Sequence, residues 1–250
     1  MKTSLLPLVS AVLLSGCVVY VGNGHARDLQ HEERSLQLEA AQLQQLVADT
    51  GAGKLEIVGE TDRSDISVMA SIYYYKAEDI RLSLERKGTN AVLEAGFDQQ
   101  IHYGNSPYID LLIKVPARLA LTLEDGSGDT VIRGLTGKLH IDDGSGDMEI
   151  NGGGAAVIED GSGDLTISNL TGALLLEDGS GNTRINNIAG DVNVDDGSGN
   201  LILRQIGGVV TIDDGSGDID VDGAKGLNII NGGSGGLKIN AIDGPVSIDD

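Results

Sequence analysis

Val192-Asn193-Val194-Asp195-Asp196-Gly197-Ser198-Gly199-Asn200-Leu201-Ile202-Leu203-Arg204-Gln205-Ile206-Gly207-Gly208-Val209 is one copy of a phrase that recurs to the end of the chain. Its Asp-Gly-Ser-Gly-Asp/Asn element returns at Asp125, Asp143, Asp160, Asp178, Asp196 and Asp214, and Gly233-Ser234-Gly235 is a degenerate seventh copy. The serines Ser127, Ser145, Ser162, Ser180, Ser198, Ser216 and Ser234 are separated by 18, 17, 18, 18, 18 and 18 residues. A period that strict is the mark of a stacked repeat architecture.

With Val192 as position 1, positions 1 and 3 are apolar in copy after copy, as in Leu139 and Ile141, Leu174 and Leu176, and Val210 and Ile212; Ile230 takes position 3 in the last full copy. Positions 4 and 5 are acidic, Gly-Ser-Gly follows, and position 9 is Asp or Asn. Positions 10, 12 and 15 are again mostly apolar, and a glycine stands at position 17. Alternation with many β-branched residues predicts two short strands per copy, each with one buried face. Gly-Ser-Gly predicts the turn between them, and positions 15 to 17 a second bend.

A single coil buries too little to stand alone, so coils must stack, like position on like. The expected fold is all-β: a parallel β-solenoid (β-helix) of about seven 18-residue coils, roughly 34 Å long at about 4.8 Å per coil, preceded by an irregular capping β region. A hexapeptide helix would carry its apolar mark every six residues. Here the marks fall at 1, 3, 10, 12 and 15, which predicts a flattened or irregular coil of open handedness.

Four segments follow from this. Residues 1–16 are a lipoprotein signal peptide, with Lys2, an apolar core from Leu5 to Leu14, and a Leu14-Ser15-Gly16-Cys17 end. That tetrad resembles the bacterial lipobox, which implies that Cys17, the single cysteine, is acylated and tethers the chain to a membrane. Val18 stands where aspartate would imply retention at the inner membrane, which implies an outer-membrane location facing the periplasm or the outside. Residues 17–33 read as the tether, 34–118 as the N-terminal β region or cap, and 119–250 as the solenoid repeats. One cysteine excludes a disulfide framework.

Inside the cap, Leu46 to Ile57 matches positions 1 to 12 of the coil, with Ala52 in place of serine, and reads as an outlying degenerate coil. Asp49-Thr50-Gly51-Ala52 also resembles the aspartic protease tetrad. That chemistry requires a second aspartate to share a proton, and no second Asp-Thr-Gly exists. Tyr73-Tyr74-Tyr75 is a candidate surface-binding patch in which at least one ring must point inward. Val246 to Asp250 begin an eighth coil with no polar cap, which leaves self-association through that coil as an expectation.

The formal net charge of −21 and an aromatic content of 3% argue against nucleic-acid binding, which needs a positive field and stacking platforms. Stacking puts acidic residues at position 4 in one outward column and Asp or Asn at position 9 in another. Two readings of the aspartates compete. In one, Asp125, Asp129, Asp143, Asp147, Asp160, Asp164, Asp178, Asp196, Asp214 and Asp218 hold Ca²⁺ or Mg²⁺ between coils. In the other, no cofactor is needed: the position 5 aspartates cap the turns as Asx-turns and the outer columns are solvated. Asn182 and Asn200, which keep hydrogen-bonding capacity without charge, favour the second.

No catalytic residues are expected. His25, His31, His102 and His140 are dispersed, Gly-Ser-Gly is not a nucleophile elbow, and a ladder of identical carboxylates lacks the distinct acid and base pair of a glycan-cleaving enzyme. From Leu36 to Asp250 the chain resembles a bacterial family of envelope β-strand-repeat proteins of undefined function, often described as candidate adhesins. The resemblance implies a structural or binding element with an unknown protein or glycan surface as partner. The alternatives are a Ca²⁺-dependent binding module and a glycan-active enzyme.

Overall fold

A computed structural model describes residues 29–98 and 105–249. The signal segment, Cys17 and most of the expected tether lie outside the described residues, as do His25, His102 and Asp250.

The described chain is two facing sheets of 11 strands each. Its first part supplies β1 (Gln30–Glu39), β2 (Gln45–Ala52), β3 (Leu55–Glu60), β4 (Asp65–Tyr74), β5 (Ile80–Lys87), β6 (Asn90–Phe97) and β7 (Tyr108–Pro116). The repeats supply β8 (Ala120–Ser127), β9 (Thr130–Arg133), β10 (Leu139–Asp143), β11 (Met148–Gly153), β12 (Ala156–Asp160), β13 (Leu165–Leu170), β14 (Leu174–Asp178) and β15 (Thr183–Ile188). They continue with β16 (Val192–Asp196), β17 (Leu201–Ile206), β18 (Val209–Asp214), β19 (Ile219–Ala224), β20 (Gly226–Asn231), β21 (Leu237–Ile242) and β22 (Val246–Ile248).

Each repeat contributes one strand to each sheet. Even-numbered strands from β8 to β22 stack in parallel in one sheet, odd-numbered strands from β9 to β21 in the other, and like positions are register partners. This is the expected flattened β-solenoid of about seven coils. Positions 1, 3, 10, 12 and 15 form its dry interior, as Leu174, Leu176, Leu165, Ile167 and Leu170 illustrate.

Close coil stacking explains the glycines. At position 8 the backbone has positive φ, and a Cβ on Gly181 would lie 1.7 Å from the carbonyl oxygen of Gly163. Position 6 needs glycine for proximity alone: a Cβ on Gly179 would lie 2.5 Å from Gly161 O. At the second bend the positive φ falls at position 14, on Asn169, Asn187 and Gln205, rather than on the glycine at position 17, where the sequence suggested the corner.

The cap is less separate than expected. β2 pairs in parallel with β8 (Leu46 with Leu121, Thr50 with Asp125) and β3 with β9, so the degenerate coil stacks directly on the first repeat. β6 and β7 add another parallel layer. Antiparallel β5, β4 and β1 then finish the two sheets at that end. β1 begins at Gln30, four residues inside the stretch expected as tether, because Gln30 to Glu33 pair with Ser71 to Tyr74.

In the seventh coil the register shifts between Ile212 and Asp213, whose partners are Ile229 and Asn231. The shift corrects the reading of Ile230: Ile229 occupies buried position 3 and Ile230 is 50% exposed. A bulge absorbs one residue and turns the next side chain outward. Beyond it the inward positions lose cover, and Leu237, Val246 and Ile248 are 44–48% exposed.

Candidate functional site

The Gly-Ser-Gly corner carries three carboxylate columns with different fates. On each strand leading into the corner, positions 1, 3 and 5 share one face. Asp125, Asp143, Asp160, Asp178, Asp196 and Asp214 therefore point between the sheets, in direct register with one another. All six are buried.

The six are not alike. Asp125 accepts hydrogen bonds from the hydroxyls of Thr50 and, at 3.2 Å, Thr130; Asp178 accepts one from Thr183 at 2.6 Å. Asp214 accepts the amide of Ser216 at 3.0 Å as an Asx-turn, and the equivalent turn amides of Ser162, Ser180 and Ser198 act in the same sense on Asp160, Asp178 and Asp196. Both carboxyl oxygens of Asp143, Asp160 and Asp196 are buried without a hydrogen bond of full geometry. Burial raises the pKa of all six. Burial, then the charges of Asp125 and Asp160, push Asp143 up to about 7. Burial, then Asp178 and Asp214, push Asp196 up to about 7. Burial, then Asp178, raise Asp160 to about 6. Hydroxyl donors offset part of the rise at Asp125 and Asp178.

Position 9 behaves otherwise. The amide of Asp164 donates to Asp147 Oδ1 at 3.0 Å, that of Asn182 to Asp164 Oδ1 at 3.1 Å, that of Asp218 to Asn200 Oδ1 at 3.1 Å and that of Gly236 to Asp218 Oδ1 at 2.7 Å. Asn182 Nδ2 also reaches Asp164 Oδ1 at 3.0 Å, and Asn200 Nδ2 reaches Asn182 Oδ1 at 2.9 Å. From Asp147 to Asp218 each side chain accepts the next coil's corner amide, so a short side chain with an acceptor oxygen is what the position requires. Asp and Asn serve equally. The hydrogen bonds from Asn182 hold the Asp164 carboxyl below its ordinary pKa.

The position 4 acids, Glu124, Asp142, Glu159, Glu177, Asp195 and Asp213, line the outside of the same strands. Thus every expected metal pair, such as Asp143 with Asp147, is split between a buried and an exposed column. Among the described residues no group of three or more His, Cys, Asp or Glu side chains is placed to hold a metal ion.

A second feature lies on the outer face of β1, β4, β7, β3 and β9 and was not legible as a site in the sequence. Register stacks its outward residues in rows across the strands. His31, Tyr73 and Tyr108 form one row, with ring centroids 4.5 and 4.4 Å apart and nearly parallel planes. Glu33, Ser71 and Asp110 form the next, and Ser35, Met69, Leu112, Glu56 and Val131 a third. The last two rows border an open groove of about 620 Å³, also lined by Arg34 and Lys54. Met69 is 53% exposed in it. Of the tyrosine cluster, Tyr74 points inward, as alternation demands.

No protein-family profile and no curated protein matches the chain's sequence. Among solved structures, a candidate lipid-binding protein from Parabacteroides distasonis superposes with a TM-score of 0.52 at 17% identity, covering 90% of this chain and 95% of that one. A candidate adhesin from Bacteroides fragilis gives 0.44 at 15% identity, covering 88% and 97%. A candidate cell adhesion protein from Clostridium sporogenes gives 0.37 at 14% identity, covering 86% and 99%. At these identities the likeness, carried by the first, is one of fold alone.

Proposed function

We propose that the protein is a lipid-anchored element of the bacterial outer envelope that works by adhesin-like binding rather than catalysis, with Cys17 as its anchor. The observation that carries the binding role is the groove over Met69, Leu112 and Val131. There the cap sheet shows an apolar floor with rim charges of both signs, Glu33, Arg34, Lys54 and Asp110. A protein segment suits it better than a glycan. Sugars stack on open ring faces, whereas Tyr73 has both faces covered by His31 and Tyr108.

The test is retention of partner proteins from an envelope extract on the full chain, compared with Met69→Glu and Leu112→Glu variants checked for unchanged thermal unfolding. Retention that both variants abolish supports the reading. Retention of purified glycans unaffected by either substitution overturns it. Anchoring is tested by palmitate labelling, which Cys17→Ala should remove. Self-association through β21 and β22 is a companion proposal resting on the exposure of Leu237, Val246 and Ile248. Sedimentation of Val246→Lys against the parent chain tests it.

A further inference from the structure

The position 5 column presents a physical problem that neither the fold nor the groove resolves. Six carboxyl groups stand about one strand spacing apart, each 5% exposed or less. Six ionised groups so placed would repel one another in a medium poor in water, and nothing basic is there to offset them. The facing strands present Thr130, Met148, Leu165, Thr183, Leu201 and Ile219 toward the corner, none of them titratable. The outward neighbours Asp195 and Asp213 are acidic too and raise Asp196 and Asp214 further. At the capped end, a pocket of about 440 Å³ brings Asp49, Glu124 and Arg81 near Asp125. Arg81 is engaged by Asp98 at 3.1 Å.

The donors that do exist are distributed selectively. Asp125 has two threonine hydroxyls, Asp178 one hydroxyl with its Oδ1 unpartnered, and Asp214 a turn amide with its Oδ2 unpartnered. Asp143, Asp160 and Asp196 have no hydroxyl donor, and their six oxygens are buried without a hydrogen bond of full geometry; the turn amides of Gly161 and Ser162 at Asp160, and of Ser198 at Asp196, offset only part of the effect of burial. The supported groups are equipped to be anions. The unsupported ones lie between them in register and lack the one thing that would satisfy both, a proton.

We propose that the position 5 aspartates form a single proton-binding ladder, in which Asp143, Asp160 and Asp196 take up protons from solvent and share them by hydrogen bonds with Asp125, Asp178 and Asp214. Each bound proton removes one buried charge and creates one O–H donor aimed along the column. Folding is thereby coupled to proton uptake, and the ladder makes the stability of the solenoid a function of pH. The pocket bordered by Thr50 and Asp125 gives one end of the column access to solvent.

The sign follows from linkage. In the unfolded chain these acids release their protons near pH 4, whereas in the folded chain Asp143 and Asp196 retain them to about 7. Between those values the folded state binds more protons, so stability is greatest at the acidic end and falls as pH rises through the window. Surface repulsion from the position 4 column has the same sign but is screened by salt, whereas a buried ladder is not.

The experiment is thermal unfolding of the full chain from pH 5 to pH 8.5 in molar salt, for the parent and for Asp143→Asn/Asp160→Asn/Asp196→Asn. An infrared spectrum at pH 6 follows the protonated carboxyl band. The parent midpoint should fall by roughly 10 °C over that range, and the band should be present at pH 6, where free aspartate is ionised. The variant should lose the band and most of the pH dependence, because an asparagine amide donates as a protonated carboxyl does but does not titrate. Should the triple variant fail to fold, Asp196→Asn alone must reduce both signals. A flat parent profile in high salt, or no band at pH 6, overturns the proposal. So does a midpoint at pH 8.5 that millimolar Ca²⁺ raises and EDTA lowers, since the column would then hold metal in place of protons.

Discussion

The two sides of the Gly-Ser-Gly corner carry the same short acidic side chain and use it in opposite ways. Outside, position 9 is solvated and joins coil to coil through backbone amides, and Asn stands in for Asp without loss. Inside, position 5 is buried, both oxygens lack a hydrogen bond of full geometry in three coils and one oxygen lacks it in two more, and Asp is retained in all six. The contrast teaches that an acidic repeat is not one feature. Four residues along the chain separate an acceptor whose charge is incidental from a carboxyl whose protonation state governs its energetics.

The substitution with the largest expected effect attacks the corner that holds the two columns apart. In Gly181→Ala the new Cβ would meet Gly163 O at 1.7 Å, at a positive φ that alanine disfavours. Loss of cooperative unfolding, or a drop of more than 10 °C in midpoint, is expected by circular dichroism. A variant as stable as the parent would mean that the coils are not stacked at this spacing.

Next comes the inner column. Thr183→Val removes the 2.6 Å donor to Asp178 and should cost about 1–3 kcal/mol. The cost should be larger at pH 8 than at pH 5, because burial raises the pKa of Asp178 and protonation relieves the missing bond. Denaturant titrations at the two pH values check this, and a cost independent of pH would break the contrast between the columns.

The outer column should respond less and without regard to pH. Asn182→Ala removes an acceptor for Asn200 and a donor to Asp164; about 1 kcal/mol is expected, the same at pH 6 and pH 8. Smallest of all, Glu177→Gln at exposed position 4 should change stability by less than about 0.5 kcal/mol, with any gain disappearing in high salt.

Much of this was legible in the sequence. The serine spacing gave the coil length, and Leu46 to Ile57 could be matched to the repeat although some 65 residues separate them from the first copy. The inner column was also within reach. Period-two alternation from positions 1 and 3 continues to position 5, so Asp196 had to face inward with Val192 and Val194. Two local signals mask it: positions 4 and 5 are both acidic, and Asp-Gly carries turn chemistry that by itself points to a cap in solvent. Position 9, by contrast, alternates Asp with Asn, and that exchange points to hydrogen bonding rather than charge.

The sequence by itself determined the coil, its corners and its stacking, because an exact repeat under a steric requirement for glycine leaves few alternatives. The tertiary structure decided which threonines reach which aspartates, since Thr50 and Asp125 meet only when a segment 75 residues away becomes the neighbouring coil. It also decided the groove, since Met69, Leu112, Glu56 and Val131 lie on four strands that only antiparallel and parallel pairing together bring into one row. Such pairings depend on non-local register, and neither local propensity nor period encodes that.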